Sequence, residues 1–126
     1  MRNRRTNAIA AVAILGLLAG GILLFRPAEG GSAVPRVPVD HVCMVNDTYF
    51  SKPQIPVLVG EKTYYGCCEM CKGRLGHDAT VRTATDPVSG TPVDKALAVV
   101  GALPDGRVLY FESETTLKAY RLPSAS

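Results

Sequence analysis

Three of the four cysteines in this 126-residue chain, Cys67, Cys68 and Cys71, fall within five residues, and the fourth is Cys43. The thiolate is the form of cysteine that binds soft metal ions, and the backbone N–H groups at a helix N-terminus favour it. We predict a short helix over residues 67–75, on which Cys67 and Cys71 share a face while Cys68 points elsewhere. The spacing therefore predicts a soft-metal site formed by Cys43, Cys67 and Cys71.

The donor set indicates which metal such a site would hold. Three thiolates suit Cu(I), which soft sulfur ligands select and which needs no fourth ligand. Structural zinc takes four ligands, so Zn(II), the second choice, would require His41 or Cys68 as the fourth. Other soft ions such as Hg(II) or Cd(II) are the third choice. Met44 and Met70 stand beside ligand cysteines and could add a thioether, although a methionine can equally fill a gap in the core.

Strands and helices that could position these cysteines occur twice along the chain. Apolar runs joined by glycine-containing turns predict two β-hairpins. Each hairpin is followed by a helix-like segment, and Ser113 is placed to cap the second helix. The predicted strands are residues 55–59 and 63–65 in the first copy and 97–103 and 107–111 in the second; the predicted helices are residues 67–75 and 113–120.

The two copies align as an internal repeat with an offset of 45 residues, or 46 near Cys43. The alignment pairs Cys67 and Cys71 with Glu112 and Thr116, and it pairs Cys68 with Ser113. Cys43 is paired with Ser89. Because the second copy lacks cysteines, we expect one metal site, with the second copy as its structural partner.

A family resemblance follows from the same residues. Cys43, then 23 residues, then Cys67-x-x-x-Cys71 resembles the TRASH and YHS group of small metal-associated domains, over residues 39–120. The stretches 86–90 (DPVSG) and 110–114 (YFESE) resemble YHS signatures whose cysteines are replaced. The resemblance implies treble-clef-like ββα units and a role in heavy-metal trafficking, resistance or sensing. Related zinc modules carry Cys-x-x-Cys where this chain has residues 43–46 (CMVN), so one zinc ligand is missing.

The start of the chain predicts export. Residues 8–25 are 18 uncharged residues between Arg5 and Arg26, about 27 Å as a helix against roughly 30 Å of membrane hydrocarbon. We expect an uncleaved anchor over residues 1–26; the alternative is a signal peptide cleaved near residues 31–33. The arginines before the apolar run keep the N-terminus in the cytoplasm. A single-pass inner-membrane protein with its soluble domain in the periplasm is therefore predicted.

The remaining organisation follows from composition. Residues 27–38, rich in glycine and proline, predict a linker that does not pack, followed by a metal-binding repeat over 39–78 and a cysteine-free repeat over 79–123. The predicted fold class is α+β: an N-terminal transmembrane helix followed by two tandem β-hairpin-plus-helix units. Residues 34–126 contain ten basic and ten acidic residues, so a nucleic-acid partner is not expected.

Several functions remain open at this point. The leading one is a Cu(I) chaperone, buffer or resistance factor that serves a metal-transport or cuproenzyme partner. One alternative is a membrane-tethered adaptor whose fold is held by zinc or disulfides. Another is a thiol redox protein using Cys68-Glu69-Met70-Cys71, although the βαβ pattern of thioredoxin-like enzymes is missing. No catalytic triad spacing or phosphate loop is found, so we expect that the chain is not an enzyme.

Overall fold

The structure, a computed structural model, describes residues 31–123. The predicted membrane anchor at residues 1–26 lies outside this range. Within the described part of the chain, no helix is both long enough and apolar enough to cross a membrane. The predicted periplasmic location depends on the anchor and stays a prediction.

The first half of the described chain consists of two antiparallel hairpins followed by a helix. A 3-10 turn, Val39–His41, leads into the first hairpin. The elements are β1 (Val42–Cys43), β2 (Thr48–Tyr49), β3 (Ile55–Val59), β4 (Lys62–Gly66) and α1 (Glu69–His77). β1 pairs with β2 and β3 pairs with β4, each in a two-stranded sheet.

The second half repeats this order. Its 3-10 turn is Ala79–Arg82. The elements are β5 (Thr83–Thr85), β6 (Pro92–Asp94), β7 (Val99–Ala102), β8 (Val108–Phe111) and α2 (Glu114–Ala119). β5 pairs with β6 and β7 with β8. As predicted, Ser113 caps α2: its side-chain oxygen accepts from the backbone N–H of Thr116.

The predicted fold class, a transmembrane helix followed by two tandem units of one hairpin and one helix each, is wrong. The described chain is a small α+β domain of paired antiparallel hairpins and two short helices, none of which could span a membrane. Each half contains two hairpins before its helix, where a single ββα unit was expected. The strands of the missed hairpins are only two or three residues long, too short to show the apolar alternation by which a strand is recognised.

Part of the predicted linker packs against the domain, contrary to expectation. Val34 is buried, and the backbone of the segment hydrogen-bonds to β7, from Val37 N to the Val100 carbonyl at 2.9 Å. Gly101 makes this close approach feasible, because a Cβ there would lie only 2.6 Å from a methyl carbon of Val34. The proline and glycine content predicted a flexible segment. The residues between the prolines keep their backbone N–H groups, however, and these can pair with β7.

One hydrophobic core runs through both halves. The members of its main cluster are Val42, Met44, Val57, Tyr64, Leu75, Val81, Val93, Val100, Val108 and Tyr110. Asp94 adds a polar link between the halves, since its carboxylate accepts from Lys62 Nζ at 2.6 Å and from the Tyr64 hydroxyl at 2.7 Å. Burial of each large apolar side chain stabilises the fold by about 1.5–3 kcal/mol. Each half therefore depends on the other for its core.

Candidate metal centre

Three of the four thiols meet in the first half. Cys43 ends β1, Cys67 directly follows β4, and Cys71 lies in the first turn of α1. Their sulfur atoms all lie within 4.8 Å of one another, and the Sγ atoms of Cys67 and Cys71 are 3.7 Å apart. Cys43 and Cys71 are buried, Cys67 is half-buried, and all three are free thiols. The cluster is therefore close enough to bind a metal ion.

The junction between β4 and α1 brings Cys67 and Cys71 together. We predicted that both lie on one helix face, which is wrong for Cys67, because the helix begins only at Glu69. Cys68 has extended backbone angles at the helix N-cap, with φ −156° and ψ 172°. Gly66 allows the helix to lie this close, since a Cβ there would stand 3.1 Å from the Cβ of Cys71.

A tight turn presents Cys43 to the other two thiols. Burial of Cys43 opposes ionisation, but the backbone N–H groups of Asn46, Val45 and Cys67 face its sulfur, and the net effect lowers its pKa. The Asn46 side-chain amide donates to Cys67 Sγ at 3.6 Å. The side chain of Asn46 therefore contacts the sulfur of Cys67, while its backbone N–H faces the sulfur of Cys43. The sequence offered only one signal for this residue, its position three residues after Cys43.

The other two thiols of the cluster are held in their protonated form. Burial raises the pKa of Cys71 to about 12, and the neighbouring thiols add to the effect. The pKa of Cys67 is raised by the hydrogen bond it shares with Cys43 and then by burial. The expected lowering at a helix N-terminus is thus outweighed at Cys71. A cation bound among the three sulfurs would displace these protons, because a coordinating thiol is deprotonated.

Side chains from the second half brace the Cys43 turn. Lys95 is only 5% exposed, and its ammonium donates to the Met44 carbonyl at 2.7 Å and to an Asp47 carboxylate oxygen at 2.8 Å. The Tyr110 hydroxyl donates to the same oxygen at 2.8 Å. Asp47 takes the left-handed conformation, with φ 51°, that closes the turn. Sequence reasoning missed this network, because Lys95 and Tyr110 lie far along the chain from the turn.

The other candidate ligands lie elsewhere. Met44 is completely buried in the hydrophobic core, while Met70 is 81% exposed. His41 has its Nδ1 3.2 Å from the Phe50 carbonyl oxygen. Cys68 is exposed, and the backbone N–H of Cys71 lowers its pKa. Neither His41 nor Cys68 belongs to the set whose ligand atoms all lie within 4.8 Å of one another.

A buried carboxylate occupies the corresponding place in the second half. Asp86 is 0% exposed, and one of its oxygens accepts from the backbone N–H groups of Val88 and Ser89 at 2.7 and 3.1 Å. Its other oxygen accepts from Glu112 N at 2.8 Å and from the Thr116 hydroxyl at 2.7 Å. Burial opposes ionisation, but these four donors together hold the pKa of Asp86 at about 2.

The contacts of Asp86 match those of the Cys43 sulfur. Each group faces the N–H groups two and three residues later in its own turn, and each faces the N–H of the residue that follows the second hairpin. Asp86 is thus the counterpart of Cys43, and the predicted pairing of Cys43 with Ser89 is wrong. The alignment failed because the turn of the second half is longer. In the second half, a hydrogen-bonded carboxylate thus takes the position that the Cys43 thiol takes in the first half.

No family model, curated protein or solved structure matches this chain. The likeness to TRASH and YHS domains therefore depends on the quoted residues alone. The three clustered cysteines are compatible with a metal-binding domain.

Proposed function

We propose that this chain binds one soft metal ion, Cu(I) in the first place, through the thiolates of Cys43, Cys67 and Cys71. In this role it would buffer the ion or deliver it to a metal-transport or cuproenzyme partner. The observation that carries the proposal is the mutual approach of three sulfur atoms, from β1, the junction between β4 and α1, and α1, all within 4.8 Å of one another. The role is the binding and exchange of an ion, without chemical conversion of a substrate.

The sulfur separations suit a small soft cation. Metal–sulfur bonds of about 2.3 Å place ligand sulfurs about 3.8 Å apart in a tetrahedral site and about 4.0 Å apart in a planar three-coordinate site. Cys67 and Cys71 already stand at 3.7 Å. The three-sulfur donor set favours Cu(I), because His41 and Cys68 lie outside the mutually close set and zinc would lack its fourth protein ligand.

A structural metal site is the second candidate, and Asp86 favours it. In the second half, this buried carboxylate joins the β5–β6 turn to the start of α2 through hydrogen bonds. By analogy, an ion held by Cys43, Cys67 and Cys71 would join the β1–β2 turn to the start of α1. In this case the ion would be Zn(II) with an added ligand, and the chain would be an adaptor whose first half depends on it.

Metal titration of the full chain tests the first proposal. The protein would be purified under reducing, anaerobic conditions and titrated with Cu(I) against bicinchoninate, with free thiols counted before and after. We expect one tightly bound Cu(I) that protects three thiols. Replacing Cys43, Cys67 or Cys71 by serine should lower the affinity more than about 100-fold, since even outer-shell groups contribute 10- to 100-fold.

Cys68→Ser is the matched control, and it should weaken Cu(I) binding far less than the other three replacements. Equal losses at all four cysteines would contradict the assignment of the ligands, and no Cu(I) binding by the parent chain would contradict the function. Tight stoichiometric Zn(II) binding, with unfolding when zinc is chelated, would support the structural candidate instead.

A further inference from the structure

The sulfur atoms of Cys67 and Cys71 are in direct contact. They lie 3.7 Å apart, and both belong to free thiols. The two sulfurs of a disulfide are about 2.0 Å apart. Formation of a bond between them therefore requires an approach of roughly 1.7 Å.

The chain around Cys67 can make this approach. Cys67 lies between β4 and α1 and belongs to neither element. Gly66, directly before it, has no side chain, and its backbone already lies against α1, because a Cβ there would stand 3.1 Å from the Cβ of Cys71. The movement therefore falls on a short junction without regular secondary structure.

Cys43, the third thiol of the cluster, is less accessible and more firmly held. It is 0% exposed and is paired in β1 with Thr48, and the Lys95 ammonium braces the turn that follows. Cys71 is only 6% exposed, whereas Cys67 is half-buried. Within the cluster, Cys67 is therefore the thiol that a reagent in solution reaches first, and Cys71 is in contact with it.

We propose that Cys67 and Cys71 form a reversible disulfide that closes the site to the metal ion. The inference rests on the proposed function and deepens it, because the two oxidised thiols are two of the three proposed ligands. A metal ligand of this kind is a thiolate, so the disulfide would leave Cys43 alone to bind the ion. The disulfide and the bound ion therefore exclude each other.

The oxidation step takes two electrons and uses a disulfide as the oxidant. The Cys67 sulfur attacks one sulfur of glutathione disulfide, which gives a mixed disulfide and releases the first glutathione. The Cys71 sulfur then attacks the Cys67 sulfur, which forms the bond within the chain and releases the second glutathione. The two thiol hydrogens of the protein are balanced by those of the two glutathiones. A bound ion occupies both sulfurs, so the reaction proceeds from the unloaded protein.

Proteolytic mapping of the full-length chain identifies the pair. Cleavage after glutamate places Cys43 on fragment 30–61, Cys67 and Cys68 on fragment 62–69, and Cys71 on fragment 70–112. The reduced protein would be treated anaerobically with glutathione disulfide, with and without one equivalent of Cu(I), and the remaining thiols would be blocked before cleavage. Cys68→Ser removes the second thiol from fragment 62–69. Cys67→Ser is its matched control, because it leaves Cys68 and Cys71 as the alternative pair.

We expect fragments 62–69 and 70–112 to be joined in Cys68→Ser and to stay separate in Cys67→Ser. One equivalent of Cu(I) should slow the joining at least about tenfold, because only the unloaded fraction reacts. The oxidised Cys68→Ser protein should bind Cu(I) at least about 100-fold more weakly than its reduced form, and reduction should restore the affinity.

Two outcomes would overturn the inference and leave the proposed function intact, provided that the reduced parent binds Cu(I). One is the absence of the joined fragments in Cys68→Ser, and the other is equal joining in Cys67→Ser. An oxidised protein that binds Cu(I) as tightly as the reduced one would also overturn the inference. Failure of the reduced parent chain to bind Cu(I) would overturn both.

Discussion

Lys95 is the residue that most directly connects the second half to the candidate site. Its ammonium is buried, and the two oxygens that receive it belong to the turn carrying Cys43. The side chain of Lys95 is 6% exposed, whereas that of its partner Asp47 is 46% exposed. A buried charge that loses its partner destabilises the fold strongly, but a half-exposed charge can be hydrated instead.

This asymmetry predicts unequal effects of neutralising the two partners. Asp47→Asn should lower the free energy of unfolding by about 2 kcal/mol, because it leaves the Lys95 ammonium buried without a counter-charge. Asparagine tolerates the left-handed conformation, so the backbone of the turn is kept. Lys95→Met should lower the free energy of unfolding by only about 1 kcal/mol, since water can solvate Asp47. Urea unfolding of the metal-free protein measures both.

Asp105→Asn provides the control for these two variants. Asp105 pairs with Arg107 on the surface, where solvent screens the ion pair, so Asp105→Asn should change the stability little. A larger loss of stability for Lys95→Met than for Asp47→Asn would contradict the view that the buried ammonium dominates the pair.

The sequence predicted the cysteines of the site but not the side chains that support the Cys43 turn. The spacing of Cys43, Cys67 and Cys71 was enough to group the thiols that the structure brings together. Lys95 and Asp47 could not be paired from the sequence, because long-range contacts of single charged residues leave no local pattern.

At the level of elements, each half joins its first hairpin to its helix, and the two halves use different chemistry for this junction. Thiols meet in the first half, and the carboxylate of Asp86 accepts four hydrogen bonds in the second. Since Asp86 is ionised and buried, the second junction should respond to pH. Its pKa falls from 3.8 to about 2 on folding, which corresponds to about 2 kcal/mol of stability.

The direction of the pH effect follows from the lowered pKa of Asp86. Its contribution should be complete above about pH 5 and should be lost as the pH falls from about 4 to 2. Asp86→Asn should cost about 3 kcal/mol at pH 6, because the amide NH2 would face two of the present donors. The gap between parent and variant should shrink by about 2 kcal/mol by pH 2, as measured by chemical unfolding. A gap that does not change with pH would show that the Asp86 charge does not stabilise the junction.

Longer elements were predictable from the sequence, and short ones were not. The hairpins β3–β4 and β7–β8 follow from apolar runs around glycine turns, and the cap of α2 follows from Ser113. The hairpins β1–β2 and β5–β6 have too few residues for periodicity, and they form because the remaining core covers them. Aligning the copies by residue type also concealed the counterpart of Cys43, because the matching contacts are made by a chemically different group, Asp86.

At the scale of the whole molecule, the repeat produces one folding unit. Buried side chains from both halves belong to one cluster, and Asp94 of the second half receives hydrogen bonds from Lys62 and Tyr64 of the first. The segment before β1 lies against β7 as well, with Arg36 bridged to Gly101. The candidate site therefore lies within a domain that both halves complete, although every thiol comes from the first half.

This interdependence predicts that the first half does not fold alone. A fragment of residues 31–78 keeps all four cysteines but loses Lys95, Tyr110 and Asp94, together with half of the shared core. Chains below about 70 residues rarely fold on a single hydrophobic core without added constraints. We expect no cooperative thermal unfolding by circular dichroism for the fragment, with or without equimolar Cu(I), whereas residues 31–123 should unfold cooperatively. Cooperative unfolding of the metal-loaded fragment would instead support two tandem domains, 39–78 and 79–123, with metal as the principal constraint on the first.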